Sequence, residues 1–180
     1  MAEAALLPPA PDRPGALLPL TVAGSAIVLL LATAGLLNLL VAGRPIPDAL
    51  RHGAVIAHLG SVMLALPIGI SQLVLPKGTF RHRTVGYIWL SLMVFTALVS
   101  FAIHTINHSG ALGGLSPIHL FSILTLVLAP IIVWRARQGA VADHRRAVLG
   151  LMLGGLAVAG LFTFLPGRAL GQLVFGLFRP

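Results

Sequence analysis

The sequence contains no cysteine and very few charged residues. Without cysteine there is no disulfide framework, no thiolate metal site and no cysteine nucleophile, so any redox chemistry would depend on a bound cofactor. Charged residues make up 9% of the 180 residues and hydrophobic residues 57%, whereas a soluble globular domain has roughly 25% charged residues. The composition therefore predicts an integral membrane protein surrounded by a lipid bilayer.

Acidic residues are the scarcest charged class, with 4 against 12 Lys and Arg and a formal charge of +8. Basic residues confined to short loops between apolar runs are typical of the positive-inside rule, so we expect no nucleic-acid partner. Asp48 and Asp143 both lie at predicted helix ends. Because no carboxylate accompanies the histidines inside a span, a proton or metal-ion carrier is the least attractive functional hypothesis.

Five apolar runs are long enough to cross a bilayer as helices. The predicted spans cover about residues 16–42, 48–75, 82–106, 117–135 and 144–165, which together define a transmembrane domain over 16–168. Residues 1–15 predict a disordered tail, and 169–180 predict a short interfacial or partner-contacting helix. The fold class is therefore all-α, with spans two to five forming an antiparallel four-helix bundle.

Basic residues are distributed unequally between the two sides of the predicted spans. Eight lie on the side of the N-terminus: Arg13, Lys77, Arg81, Arg83, Arg135, Arg137, Arg145 and Arg146. Four lie on the other side: Arg44, Arg51, Arg168 and Arg179. The positive-inside rule then predicts a multi-pass protein of a bacterial inner membrane with a cytoplasmic N-terminus.

Five of the seven histidines lie in or at the ends of predicted spans, where an ionisable side chain is a functional hypothesis by default. His82 and His144 fall at the cytoplasmic ends of spans three and five. His58 and His119 fall toward the external ends of spans two and four. Alternate helices of a bundle are diagonal, so each pair should face across the interior, with His104 as a substitute ligand beside His58.

Two imidazoles that converge from opposite helices suit a haem b iron. A haem needs small neighbouring residues. Ser61 and Gly69 share the face of His58, Gly86 lies one turn from His82, and Gly155 lies on the same span as His144. The candidate partners for haem propionates are the basic residues that flank His82 and His144, namely Arg81, Arg83, Arg145 and Arg146. Positive-inside anchoring explains these arginines equally well.

Each histidine also has a simpler explanation. His82 and His144 each adjoin arginines and could face lipid headgroups, while His58 could bond a backbone carbonyl in the core. His119 lies at a predicted helix start, where its side chain could lie near the membrane surface rather than deep within the span. Small residues also pack transmembrane helices that hold no cofactor.

Three runs carry a resemblance to known families: HLGSVMLALPIGISQLVLPKGTFRHRTVGYIW, SPIHLFSILTLVLAPIIVWRARQGAVADHRR and GLAVAGLFTFLPGR. Over about His52 to Arg168 the chain resembles an uncharacterised bacterial family of multi-pass membrane proteins. It is more distantly similar to transmembrane di-haem b cytochromes that exchange electrons with ascorbate and related carriers. That similarity implies two haems and alternating ligands, pairing His58 with His119 and His82 with His144, at intervals of 61 and 62 residues.

The leading hypothesis is a haem b membrane cytochrome, with two haems or one, that carries electrons across the bilayer or between a quinone and a partner protein. Such a protein would be an electron-transfer or oxidoreductase component, although no ascorbate-binding signature is present. The alternative is an accessory or structural subunit of a larger respiratory or photosynthetic membrane complex, without its own cofactor. In that case the histidines would make only local hydrogen bonds.

Overall fold

The computed structural model describes residues 16–41, 46–103, 118–165 and 168–175, and these residues form helices joined by short turns. Within them, five helical spans are long and apolar enough to cross a membrane. The first four are α1 (Leu17–Val41), α2 (Gly53–Val74), α3 (Phe80–Ser100) and α4 (His119–Arg137). The fifth span runs over Val141–Phe162. The predicted all-α fold with five spans is confirmed.

The fifth span is not a uniform α-helix. It consists of α5 (Val141–Leu151), a π-helical segment (Met152–Val158) and α6 (Ala159–Phe162). A further short helix, α7 (Ala169–Phe175), follows it. A π-helical turn widens a helix and is frequent near functional sites. The hydropathy pattern predicted the span itself but not this local distortion within it.

The observed span boundaries differ from the predicted ones by a few residues. Asp48–Arg51 forms a separate 3₁₀ helix, and because His52 has an extended backbone (φ −82°, ψ 126°), α2 begins at Gly53 rather than near residue 48. Helix α3 begins before residue 82 because Thr79 caps it, its Oγ1 accepting from His82 N at 3.0 Å. It ends at Ser100, and the predicted end of this span, 104–106, lies outside the described residues.

Two tight turns join neighbouring spans at the same end of the bundle. Helix α2 ends at Val74. Its C-cap residue Leu75 has the extended backbone that is favoured before Pro76, and Gly78 then reverses the chain with φ +74°. Gly139, with φ +70°, does the same between α4 and α5. This end carries most of the basic residues and is called the basic end below.

The distribution of side chains is that of a protein in lipid. Large apolar residues such as Leu30, Leu40 and Phe80 point outward and are between 68% and 79% exposed. The buried positions include many small polar residues: Thr21, Ser25, Ser61, Gln72, Thr96, Ser100, Ser122 and Thr125. Because lipid is as apolar as the outer side chains, such helices associate through close packing and interhelical hydrogen bonds.

Helix α1 takes part in the bundle, which the prediction had assigned to spans two to five. It packs between α2 and the π-helical segment of the fifth span. Small residues permit this close approach: a Cβ at Gly160 would lie 2.7 Å from Val28 Cγ1, and one at Gly24 would lie 3.1 Å from Ala157 Cβ. The result is a bundle of five spans in which α1 closes the side between α2 and the fifth span.

Helix α7 docks on α1. Asn38 Nδ2 donates to the Leu173 carbonyl at 2.9 Å, and Leu173 and Val174 are buried. Gly35 allows the contact, since a Cβ there would meet Val174 Cγ2 at 3.2 Å. The predicted short C-terminal helix is therefore present over Ala169–Phe175 and contacts this same chain.

The centre of the bundle is a layer of large apolar side chains from three spans. Its most deeply buried members are Leu66, Trp89, Met93, Leu151 and Met152, each at most 2% exposed. Gly69 makes room for them, because a Cβ there would lie 2.7 Å from Trp89 Nε1 and 2.9 Å from Met152 Cε. Close packing of this kind leaves little free volume, so the layer separates the two ends of the bundle.

Candidate functional site

His58 is held by the neighbouring helix at the end opposite the basic end. Its Nδ1 lies 3.1 Å from the Thr96 carbonyl oxygen on α3. Because a carbonyl oxygen can only accept, Nδ1 carries the proton and donates. In the neutral ring, Nε2 then keeps its lone pair, and this is the arrangement that orients a metal-ligating histidine.

His119, at the start of α4, contacts the same helix one turn further along. Its Nε2 donates to the Ser100 carbonyl at 3.2 Å, one turn along α3 from Thr96. The ring stacks on Phe101 with centroids 5.6 Å apart, and only 5% of the residue is exposed. In a neutral ring the lone pair is then on Nδ1, so coordination through Nε2 would require the bond to Ser100 to break.

Hydroxyl groups connect the helices that carry these histidines. Thr96 Oγ1 donates to Ser61 Oγ at 2.7 Å, and the Ser100 and Ser122 hydroxyls are 2.6 Å apart. Ser61 itself donates to the His58 carbonyl at 2.8 Å. These bonds tie both α2 and α4 to one face of α3, at positions one helical turn apart.

A cavity of about 560 Å³ lies between the spans at this level, and both His58 and His119 line it. We call this end of the bundle the cavity end. Its walls also include the hydroxyl residues Thr96, Ser100, Ser122 and Thr125 and the small residues Ala97, Gly155, Ala159 and Gly160. Cavities that bind cofactors measure roughly 300–1,000 Å³ and are mostly apolar with a few polar groups.

Arg168 is the one cation among the described residues that line the cavity, and it lies beside the start of α7 together with Ala169 and Leu170. A guanidinium at this position can pair with a carboxylate or phosphate group of a bound ligand. The sequence analysis used Arg168 only to count charges. Its position between the predicted fifth span, 144–165, and the predicted C-terminal helix, 169–180, was the signal that could have placed it at this end of the bundle.

The second predicted pair, His82 and His144, lies at the basic end. His144 Nδ1 donates to the Ile132 carbonyl of α4 at 2.9 Å, and the ring is partly buried. His82 is partly buried and lies within electrostatic range of His144. The structure therefore brings these two residues near one another from α3 and α5.

The small residues predicted to flank a haem have other neighbours in this structure. Gly86 faces α2, where a Cβ would lie 3.5 Å from Gln72 Oε1. Ser61 bonds to Thr96 and is 6% exposed, at the edge of the cavity layer. The space beside Gly69 is occupied by Trp89 and Met152. Gly155 lines the cavity. A Cβ added at Gly155 would lie 3.2–3.4 Å from side-chain atoms of Thr125, Leu151 and Met93.

The four predicted arginines are spread around the basic end. Arg81 and Arg83 are exposed. Arg146 pairs with Asp143 at 3.1 Å, and Asp143 also binds Arg135 at 2.9 Å. Arg145 is partly buried and lies close enough to Lys77 for their charges to interact. His104 lies outside the described residues, so its predicted role as a substitute ligand stays a prediction.

The donor set decides which cofactors fit the cavity. Among the described residues, no group of three or more His, Cys, Asp or Glu side chains could hold a bare metal ion. Two imidazoles from opposite sides are instead the donor set of a haem iron, which has four further ligands in its own ring. The cavity volume, the orientation of His58 and the cation Arg168 fit a haem. His119 fits as a ligand through Nε2 only if its hydrogen bond to the Ser100 carbonyl breaks.

The hydroxyl lining was missed by sequence reasoning, although its spacing is visible. Thr96 and Ser100 are four residues apart on α3, and Ser122 and Thr125 are three apart on α4, so each pair shares a helix face. Polar side chains repeated in this way within an apolar span mark the face that turns toward the interior.

The comparisons with known proteins agree with the membrane architecture. The family model described as "Predicted membrane protein (DUF2306)" matches residues 55–152, more than half of the chain. No curated protein and no solved structure matches the chain. The matched region contains nearly all of α2 and the whole of α3, α4 and α5, with all four predicted ligand histidines. It ends before the GLAVAGLFTFLPGR run that the resemblance had included. The chain belongs to the predicted membrane protein family DUF2306.

Proposed function

We propose that this protein binds haem b and carries electrons within the membrane, with His58 and His119 as the haem ligands at the cavity end. The observation that carries the proposal is the cavity of about 560 Å³ lined by one histidine from α2 and one from α4. Sites of this kind in helical bundles are built from side chains of different helices that face a common space, as His58 and His119 do at this cavity. A haem iron accepts and donates single electrons, which supplies the redox chemistry that a chain without cysteine lacks.

The residues around the cavity have distinct tasks in this proposal. The Thr96 carbonyl keeps the proton of His58 on Nδ1 and so directs the lone pair of Nε2 to the ligand position. Leu66, Met93 and Leu156 provide an apolar wall for the porphyrin ring, and Arg168 offers a cation for a propionate group. Breaking the His119–Ser100 bond is the rearrangement that ligand binding would require.

His82 and His144 are proposed as a second ligand pair, as expected from the similarity to di-haem cytochromes. Support comes from their electrostatic proximity and from the His144 Nδ1–H bond to a carbonyl, which resembles that of His58. The two sites would lie on opposite sides of the layer that contains Trp89 and Met152. Electrons could then pass across most of the bilayer.

The distribution of basic residues favours one orientation of the protein in the membrane. We propose that the basic end faces the cytoplasm of a bacterial inner membrane, as the unequal distribution of basic residues favours. A quinone in the bilayer or a partner membrane protein would supply or remove electrons. The protein would then act as an oxidoreductase component.

The test is a reduced-minus-oxidised absorbance spectrum of the purified full-length protein, expressed with ample haem. We expect b-type haem bands, and we expect His58→Ala to lose the haem of the cavity end and His144→Ala to lose any second haem. His52→Ala is the matched control, since His52 is exposed just before α2 and should keep both signals. A spectrum without haem bands in the unaltered protein would refute the proposal.

One observation favours a second candidate function. His58, His119 and His144 each bond to a backbone carbonyl of an adjacent span, which are the local bonds expected of an accessory subunit without a cofactor. Such a subunit would be colourless when purified and would migrate with a larger complex from gently solubilised membranes. Its His58→Ala variant would be less stable than the unaltered protein, and neither protein would show haem absorbance bands.

A further inference from the structure

Helix α4 contacts the fifth span in two different ways along its length. Near the basic end a polar bond joins them, because Arg135 of α4 binds Asp143 of α5 at 2.9 Å. Toward the cavity end the contact is made by aromatic rings. The centroids of the Phe121 and Phe162 rings lie 6.4 Å apart, with an interplanar angle of 39°. Apolar packing of these rings therefore closes the interface between α4 and the fifth span beside the cavity.

The Phe121 ring lies over a residue that has no side chain. A Cβ added at Gly154 would lie 3.3 Å from Leu124 Cδ2 and 3.8 and 3.9 Å from two atoms of the Phe121 ring. At this point the fifth span contributes only backbone, within its π-helical segment, and side chains of α4 cover it. A side chain changes rotamer on a much shorter timescale than a packed helix moves. Closure of the interface here therefore depends on the position of one mobile group, the Phe121 ring.

The two rings lie between the cavity and the lipid-facing surface of the bundle. Both Phe121 and Phe162 line the cavity. The apolar side chains beside them are exposed: Leu120 and Ile123 of α4 by 66% and 47%, and Leu161 of α6 by 45%. Large exposed apolar side chains on membrane-spanning helices contact acyl chains. A path between the two rings would therefore join the cavity to the bilayer rather than to water.

We propose that Phe121 and Phe162 form a gate through which the cavity takes up a lipid-soluble, mostly apolar molecule from the bilayer. Rotation of the Phe121 ring away from Gly154 opens a path between α4 and the fifth span. The ligand class follows from this route, because a small charged molecule would lose its hydration at an apolar entrance without gaining a partner there. The proposal concerns the route into the cavity and does not depend on haem being the ligand.

The test uses the absence of cysteine from the chain. Ala97→Cys places a single thiol in the cavity, because Ala97 lines the cavity and is only 3% exposed. The full-length variant is expressed without added haem and placed in bilayer discs. Mass spectrometry then measures its labelling rate with N-phenylmaleimide and with the same reagent carrying a para-carboxylate. Each rate is divided by the rate of that reagent with free cysteine, and we expect the uncharged reagent to label faster.

Removal of either ring should open the gate. Phe121→Ala and Phe162→Ala, each combined with Ala97→Cys, should raise the labelling rate of the uncharged reagent roughly two- to tenfold, the factor that corresponds to the loss of one aromatic pair. The charged reagent should stay slow. Leu120→Ala is the matched control, since it shortens a large apolar side chain of α4 that adjoins Phe121 in sequence but is 66% exposed. This variant should change neither rate.

Three outcomes would overturn the proposal. Equal normalised rates of the two reagents in the Ala97→Cys protein would show that the cavity opens to water. Equal acceleration by Leu120→Ala would indicate a general loosening of α4, and unchanged rates in both phenylalanine variants would show that the path lies elsewhere. Thermal unfolding of each variant checks that it is folded, and Phe162→Ala carries the test if Phe121→Ala does not fold. The haem proposal is judged by the absorbance spectrum of protein supplied with haem, so the two proposals fail separately.

Discussion

The two ends of the bundle are built differently, although the same helices form both. Next to the basic end, the interior is filled by Trp89, Leu151 and Met152, each at most 2% exposed. At the cavity end, the same spans surround about 560 Å³ of space with hydroxyl groups and two histidines. One end is a packed core, and the other has the form of a binding site.

One face of α3 shows how the sequence produces this difference. Trp89, Met93, Thr96 and Ser100 follow one another at intervals of three or four residues, so all turn toward the interior. The first two fill the space between helices, whereas the last two are short and bond to Ser61 and Ser122. A change from large to small side chains along one face therefore converts a core into a cavity without altering the helix.

The largest effect is expected at Trp89, on the packed side of this comparison. Trp89→Ala removes a large side chain that is 2% exposed and should lower the free energy of unfolding by about 3–5 kcal/mol. Trp89→Phe is the control. Among the described residues no acceptor is bonded to Trp89 Nε1, so Phe loses no hydrogen bond and should cost less than about 1.5 kcal/mol. Unfolding in mixed micelles measures both, and equal costs would contradict a packed core.

The next largest effect is expected at Gly69, where the same core lacks room for any side chain. Gly69→Val places a Cβ 2.7 Å from Trp89 Nε1 and 2.9 Å from Met152 Cε, and overpacking of this kind costs about 1–3 kcal/mol. Gly60→Val is a matched change on the same helix with nothing within 4 Å of the added Cβ. It should change the free energy of unfolding little. A similar cost at both positions would show that helix propensity, rather than packing, determines the result.

The sequence was sufficient to predict the spans, because their number depends on length and hydropathy, which need no knowledge of neighbours. From helix order alone it also predicted His58 with His119, and His82 with His144, as ligand pairs, and this pairing stays a prediction. It could not predict that α1 enters the bundle, since that contact depends on complementary small residues such as Gly24 and Gly160 in two distant segments. Helix order fixes which spans are diagonal, but not how far each is rotated about its axis.

The rotation of each helix about its own axis determines which of its side chains reach the candidate site. Gly86 shares a helix with His82, yet it turns toward Gln72 on α2, and this follows from packing that spacing alone does not describe. The bond from His119 to Ser100 likewise depends on where α3 ends relative to α4. The cavity itself arises from what five spans leave unfilled, so it is a property of the assembled bundle.

A smaller effect is expected where α3 and α4 meet at the cavity end. Ser100→Ala and Ser122→Ala each remove one partner of a hydroxyl pair 2.6 Å apart, and each should cost about 0.5–1.5 kcal/mol. The double variant should cost less than the sum, with a coupling energy of about 0.6 kcal/mol, as is usual between membrane helices. Strict additivity in a double-mutant cycle would mean that the two hydroxyls do not stabilise the contact.

The smallest effect on stability is expected for a larger side chain inside the cavity, and its sign should be opposite to that at Gly69. Val62 is half-buried and lines the cavity, so Val62→Phe adds volume where space exists and should leave stability unchanged or raise it by about 0.5–2 kcal/mol. If the proposed haem occupies this space, the same variant should lose most of its haem absorbance although its helices remain folded. Unfolding in mixed micelles and the reduced-minus-oxidised spectrum are measured on the same sample. A loss of stability comparable to that of Gly69→Val would show that this end is packed like the other, while unchanged haem content in a stable variant would place the haem away from Val62.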